Sequence, residues 1–136
     1  MSMNLEALNH YLESRFSGSP IVVQGDRMTV KYRNSEGLLF TIVAREEADG
    51  VSLRVTTPLM LLNPQTREKF EHFQDGLVDT LSKGLFEDLG VEVDHEAHVC
   101  AWAKLGTEPL CFPNKIVETF VEGALGLPVA FKKSLF

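Results

Sequence analysis

The chain has 136 residues, of which 44% are apolar and 24% charged, and a formal net charge of -6 at pH 7. That is the size and composition of one soluble globular domain, 1–136, and it excludes wholesale disorder. The acidic balance argues against a nucleic-acid surface, which needs clustered Lys and Arg, and no apolar run approaches the roughly 20 residues that cross a bilayer.

Leu5, Leu8, Leu12 and Phe16 recur at three and four residues and predict a first helix with one apolar stripe, capped by Ser2 or Asn4 and ended by Ser17-Gly18-Ser19-Pro20. This start reads as an amphipathic helix rather than a signal peptide, so the expected location is cytoplasmic. From Pro20 the period becomes two. Ile21 to Val23 is a short β-rich run, Gly25-Asp26 signals a turn, and Met28, Val30 and Tyr32 alternate with Thr29, Lys31 and Arg33, as in a strand with one wet face. Asn34 to Gly37 turns the chain into Leu38 to Ala44, a more continuously apolar and so central strand. A polar loop from Glu46 to Gly50 leads to Val51, Leu53 and Val55, and Pro58 closes that strand because it cannot donate to a ladder. The expectation is a three-strand antiparallel meander.

Asn63-Pro64 starts a long second helix, with Asn to cap the free amides and Pro at the first helical position. Its buried stripe is Phe70, Phe73, Leu77, Leu81 and Leu85, with Val78 beside them, and Gly84 or Gly90 ends it. Val91 and Val93, a turn at Asp94 to Ala97, and the alternation Val99, Ala101, Ala103, Leu105 make a two-strand hairpin. Pro113-Asn114 opens a last helix with the face Ile116, Val117, Phe120, Val121, Ala124 and Leu125; Gly126 and Pro128 stop it and leave a loose tail from Lys132 to Phe136.

Little in this pattern carries chemistry. Asp94-His95-Glu96-Ala97-His98 is the one cluster of metal-ligating types, but it lacks the helical four-residue His spacing and falls in a hairpin turn, so it reads as an exposed polar turn and not a metal site. His10 and His72 read as surface histidines. Cys100 and Cys111 are too few for a disulfide framework, and Cys100, on a strand, reads as a small hydrophobe. No nucleophile elbow or phosphate-cradling glycine loop follows a strand. The acidic excess between Glu71 and Glu96 reads as a solvated face or as a surface that attracts a basic partner segment. If Val99 and Ala101 face the helices, Cys100 and Trp102 face the other way. There Trp102 is either covered by the loop after Gly106 or the C-terminal tail, or is a subunit or client contact.

The order helix, three strands, helix, two strands, helix, in an acidic chain of this size, resembles the class I type III secretion chaperones and their YbjN-like relatives, from Leu5 to Leu125. The closest local match is Leu81-Ser82-Lys83-Gly84-Leu85-Phe86-Glu87-Asp88 with the hairpin Val91 to Leu105, which is similar to the family's passage from its middle helix into its fourth and fifth strands. The resemblance implies an α+β fold and a homodimer that holds an extended segment of a partner protein on apolar patches, without a reaction or a cofactor. In this chain those patches fall on Leu5, Leu8, Leu12 and Phe16 with Val30 and Tyr32. The dimer contact falls on Phe73 and Leu77 of the second helix or on the Cys100 and Trp102 face. The alternatives are a YbjN-like regulator without a dedicated client, and a small enzyme or ligand carrier, which requires a deep pocket holding perturbed groups.

Overall fold

The computed structural model describes residues 3–60, 63–81, 86 and 88–134, with the backbone alone at 60, 75, 77, 79–81 and 134. The fold is α+β. In chain order come α1 (Met3–Arg15), β1 (Ile21–Gln24), β2 (Arg27–Arg33), β3 (Leu39–Glu47), β4 (Gly50–Met60), α2 (Pro64–Leu81), β5 (Asp88–Val93), β6 (His98–Leu105), α3 (Lys115–Leu125) and α4 (Leu127–Ser134). The strands form one antiparallel sheet of order β1-β2-β3-β4-β6-β5, so a meander and a hairpin meet where β4 pairs with β6. No described helix is long and apolar enough to cross a membrane.

The period-two alternation divides the sheet into a dry face and an open one. Rows that run across the strands, such as Val30–Ile42–Val55–Ala101–Val91 and Met28–Ala44–Leu53–Ala103, put apolar side chains on one face. All four helices supply the other side of that core: Leu5, Leu8 and Leu12 from α1, Phe70 from α2, Val117, Phe120, Val121 and Ala124 from α3, and Leu127 and Phe131 from α4. The structure is therefore one layer of helices on one layer of sheet, and among the described residues no helix lies on the opposite face.

Local chemistry sets the element ends. The Asn63 side chain accepts from the Gln65 amide at 2.8 Å and starts α2 at Pro64; Asn114 accepts from the Ile116 and Val117 amides at 3.1 and 3.2 Å and starts α3. Asn4 is no cap. It lies inside α1 and ties that helix to the loop after β6, donating to the Glu108 carbonyl at 3.0 Å and accepting from the Leu110 amide at 2.9 Å. Tyr11 stacked on Phe112 at 4.9 Å, and Arg15 paired in a fork with Glu122, fasten the same helix further along. Burial, with Glu122 and Glu118 nearby, pushes the Tyr11 phenol up to about 12. Ser2 lies outside the described residues.

Several expectations change in detail. Ile21 to Val23 is a paired strand, so the meander has four strands rather than three. The loop from Glu46 to Gly50 shrinks to a two-residue turn, because β3 runs to Glu47 and Gly50 already pairs with it. Pro58 does not close β4: the register slips between Thr57 and Met60, and the proline sits in that irregularity while the strand continues. Gly90 lies inside β5 rather than at a helix end, and Gly84 lies outside the described residues. Gly126 does end α3, but α4 begins at the next residue with Pro128 in its first turn, where a missing amide costs nothing. The expected loose tail is thus helical to Ser134, and buried Phe131 packs on Phe70 and Phe73 at 5.5 and 5.6 Å.

Candidate functional site

The sheet ends in two unequal edges. Backbone bonds fix which groups of each edge strand face outward, since paired residues in an antiparallel ladder alternate between bonded and non-bonded positions. The Lys31 amide donates to the Pro20 carbonyl, and the Glu46 amide to the Asp26 carbonyl. Pro20, Val22 and Gln24 therefore face β2, while the amides and carbonyls of Ile21 and Val23 point away from the sheet. Among the described residues no side chain is hydrogen-bonded to either. At the other edge the Asp94 amide donates to the His98 carbonyl, which by the same alternation turns the Val91 carbonyl outward. That carbonyl accepts a bond from the side-chain amide of Gln74 on α2. Among the described residues a helix side chain engages the β5 edge at Val91 and none engages the β1 edge, which is the free one.

Two of the exposed large apolar side chains lie on the free edge strand itself. Val22 is 52% exposed and Val23 43%, on opposite faces of β1, and Leu39 on the open face is 42% exposed. Val22 continues across the open face as the row Val22–Thr29–Val43–Arg54–Trp102–Gly90. Below it runs Gln24–Arg27–Arg45–Ser52–Lys104–Asp88, and above it Lys31–Thr41–Thr56–Cys100–Glu92. The open face of an acidic chain is thus studded with cations. Those towards β5 are paired: Arg54 with Glu92 at 2.5 Å and Lys104 with Asp49 at 2.6 Å. The Lys104 ammonium holds the Asp49 carboxyl below its ordinary value. A basin of ≈ 360 Å³ lies over this part of the face, bounded by Arg27, Arg45, Arg54, Trp102 and Lys104 with Glu47 and Asp88.

The residues expected to meet a partner or a second subunit lie elsewhere. Leu5, Leu8, Leu12, Phe16 and Val30 are at most 1% exposed, so the stripe is consumed by the chain's own core and is not a free surface, which corrects the expectation. Tyr32 is half-buried against Phe16 at 4.7 Å, with the Arg15 guanidinium over its ring at 5.7 Å. Phe73 is half-buried against Phe70 and Phe131. The Leu77 side chain lies outside the described residues.

Cys100 and Trp102 do face away from the helices, but Cys100 is 2% exposed and offers no surface for a dimer contact. Burial pushes its thiol up, against the opposing pull of Arg54, so it is held as the poorly nucleophilic thiol. Trp102 lies across β5 with its indole so close to Gly90 that a Cβ there would meet ring atoms at 2.8 to 2.9 Å. Among the described residues neither the 106–114 loop nor the tail as far as Ser134 covers it: the loop is tied to α1 through Asn4 and the tail packs through Phe131 on α2.

The polar turn at 94–98 is built by Asp94, whose carboxylate accepts from the Glu96 and His98 amides, both at 2.9 Å. His98 turns its Nδ1 to Glu96 at 3.4 Å, and His95 is exposed. Of the acidic run from Glu71 to Glu96, the described side chains are divided between Glu71 on α2, Asp88 and Glu92 on the open face of β5, and Asp94 and Glu96 in this turn; Glu87 and the side chains of Asp75 and Asp79 lie outside the described residues. The sequence reading missed the open-face cations and the β1 edge. The available signal was the alternation of Arg27, Lys31 and Arg33 with Met28, Val30 and Tyr32 in β2. Compared with family models, curated proteins and solved structures, the chain matches none.

Proposed function

We propose that the chain is a non-enzymatic protein-binding module of the secretion-chaperone kind, which holds an extended segment of a partner protein by strand addition to β1. The observation that carries the reading is the β1 edge: outward backbone groups at Ile21 and Val23, flanked by exposed Val22 and Val23. Such an edge satisfies the amides and carbonyls of an unfolded segment and gives its alternate side chains an apolar shelf. The order helix, meander, helix, hairpin, helix supports the same reading, because it is the arrangement in which the chain resembles the class I type III secretion chaperones.

The test uses peptides selected from a phage-displayed library on the immobilised protein. A bound peptide is expected to slow hydrogen exchange of the Ile21 and Val23 amides at least about tenfold. Val23→Pro removes one outward amide without touching the β1–β2 bonds, and is expected to abolish binding while leaving the thermal midpoint within a few degrees. Protection elsewhere, or unchanged affinity in Val23→Pro, would overturn the reading.

A homodimer belongs to the proposal. The half-exposed rings of Phe73 and Trp102 flank β5 on its two sides, and a contact there joins subunits through side chains, because Gln74 occupies the strand's outward carbonyl. Light scattering is expected to give the mass of two 15.2 kDa chains. A single-chain mass removes this part and leaves strand addition standing.

A further inference from the structure

We infer that the segment held at β1 is acidic: an extended stretch in which apolar side chains on the helix side alternate with carboxylates on the open face. The inference rests on the strand-addition reading and names the chemistry of the partner. A strand added beside β1 continues the pleat, so one set of its side chains falls in line with Ile21 and Val23. The other set falls in line with Val22 and Gln24, towards Arg27 and Lys31 of β2. The added strand and β2 are two strand spacings apart, about 10 Å, a gap that a Glu and an Arg or Lys side chain lean across together.

The charges on this part of the face are unbalanced. The chain carries 19 acidic against 13 basic residues, yet among the described residues Arg27 and Lys31, both exposed, have no ion-pair partner. Arg27 stands directly opposite Arg45, and the carboxylate nearest Arg45 is that of Asp26 at 3.9 Å. Like charges facing each other across a ladder destabilise it, and a carboxylate brought between them offsets that cost. Arg54 and Lys104, further from the free edge, already have close carboxylates, so the unmet positive charge lies on β2 and β3, beside β1. An acidic protein segment fits better than nucleic acid, because a polyanion that extended past this patch would meet the rest of a chain with net charge -6.

Two fluorescein-labelled peptides test the inference by anisotropy, one alternating Val with Glu and the other alternating Val with Lys. The Glu peptide is expected to bind about tenfold more tightly at 50 mM salt, with the difference largely lost at 500 mM. In the double variant Arg27→Glu, Lys31→Glu, which removes a like-charge pair and should keep its fold, the preference is expected to invert. Equal binding of the two peptides overturns the acidic preference and leaves strand addition intact. Binding of neither overturns it as well, with exchange protection by the library-selected peptides then deciding strand addition separately. An oligo-dT whose binding is lost in the double variant while the Glu peptide binds weakly, or a solution dimer that the double variant splits, assigns the patch to nucleic acid or to a second copy, and also overturns it.

Discussion

Replacing Gly50 with alanine is expected to lower the stability of the fold by roughly 3 kcal/mol, a fall of about 10 °C in the thermal midpoint of a chain of this size. Gly50 has a φ of 146°, a conformation that side-chain-bearing residues rarely adopt, at the start of β4 where the two-residue turn delivers the chain. A Cβ there would also collide with the Leu105 carbonyl oxygen and crowd the Leu105 and Gly106 carbonyl carbons at 3.1 and 3.3 Å. These neighbours are backbone, and Leu105 is held in register by Val51, so no side-chain rotation relieves the overlap. Urea unfolding followed by circular dichroism measures the loss. A Gly50→Ala protein as stable as wild type would show that the junction of the meander with β6 is not packed as described.

Phe120→Ala should cost roughly 3–5 kcal/mol. Phe120 is fully buried on α3 and meets the edge of the Phe86 ring at 5.4 Å. Its removal leaves a cavity in the single layer of helices that covers the sheet, and takes away an aromatic pair worth about 1 kcal/mol beyond its area. Since the whole stability of such a domain is about 5–15 kcal/mol, this one truncation removes a large share of it. Val129→Ala, in the same helical layer but 45% exposed, is expected to change stability by less than about 0.5 kcal/mol. Comparable losses in the two variants would contradict the placement of the core.

The elements that sequence reading found are those whose signal is local. Asn63-Pro64 and Asn114 mark helix starts because the capping group and the amides it receives lie within three residues. Period-two alternation marks β2, β4 and β6 because one face of each is dry. What escaped depends on partners distant in the chain. Ile21 to Val23 is too short to declare itself a strand until β2 folds beside it. Gly126-Leu127-Pro128 reads as a stop, yet the same proline suits the first turn of a following helix, and burial of Phe131 against α2 decides between the two. The stripe of α1 announces that it will be covered, but periodicity cannot say whether the cover is the chain's own sheet or another protein; here it is the sheet. The cation patch is further still from a local signal, since Arg27 and Arg45 come face to face only through the register of β2 on β3.

The unequal edges of the sheet have a consequence for assembly. In the language of polymerisation a strand with two open sides is a bifunctional monomer, and growth through it has no natural end. In this sheet the two ends differ: among the described residues no side chain bonds the outward backbone of β1, whereas at β5 the central outward carbonyl is engaged by Gln74. Under the strand-addition proposal, growth of copies by laying β1 of one on β5 of the next would have to displace the Gln74 bond, which disfavours filaments built that way.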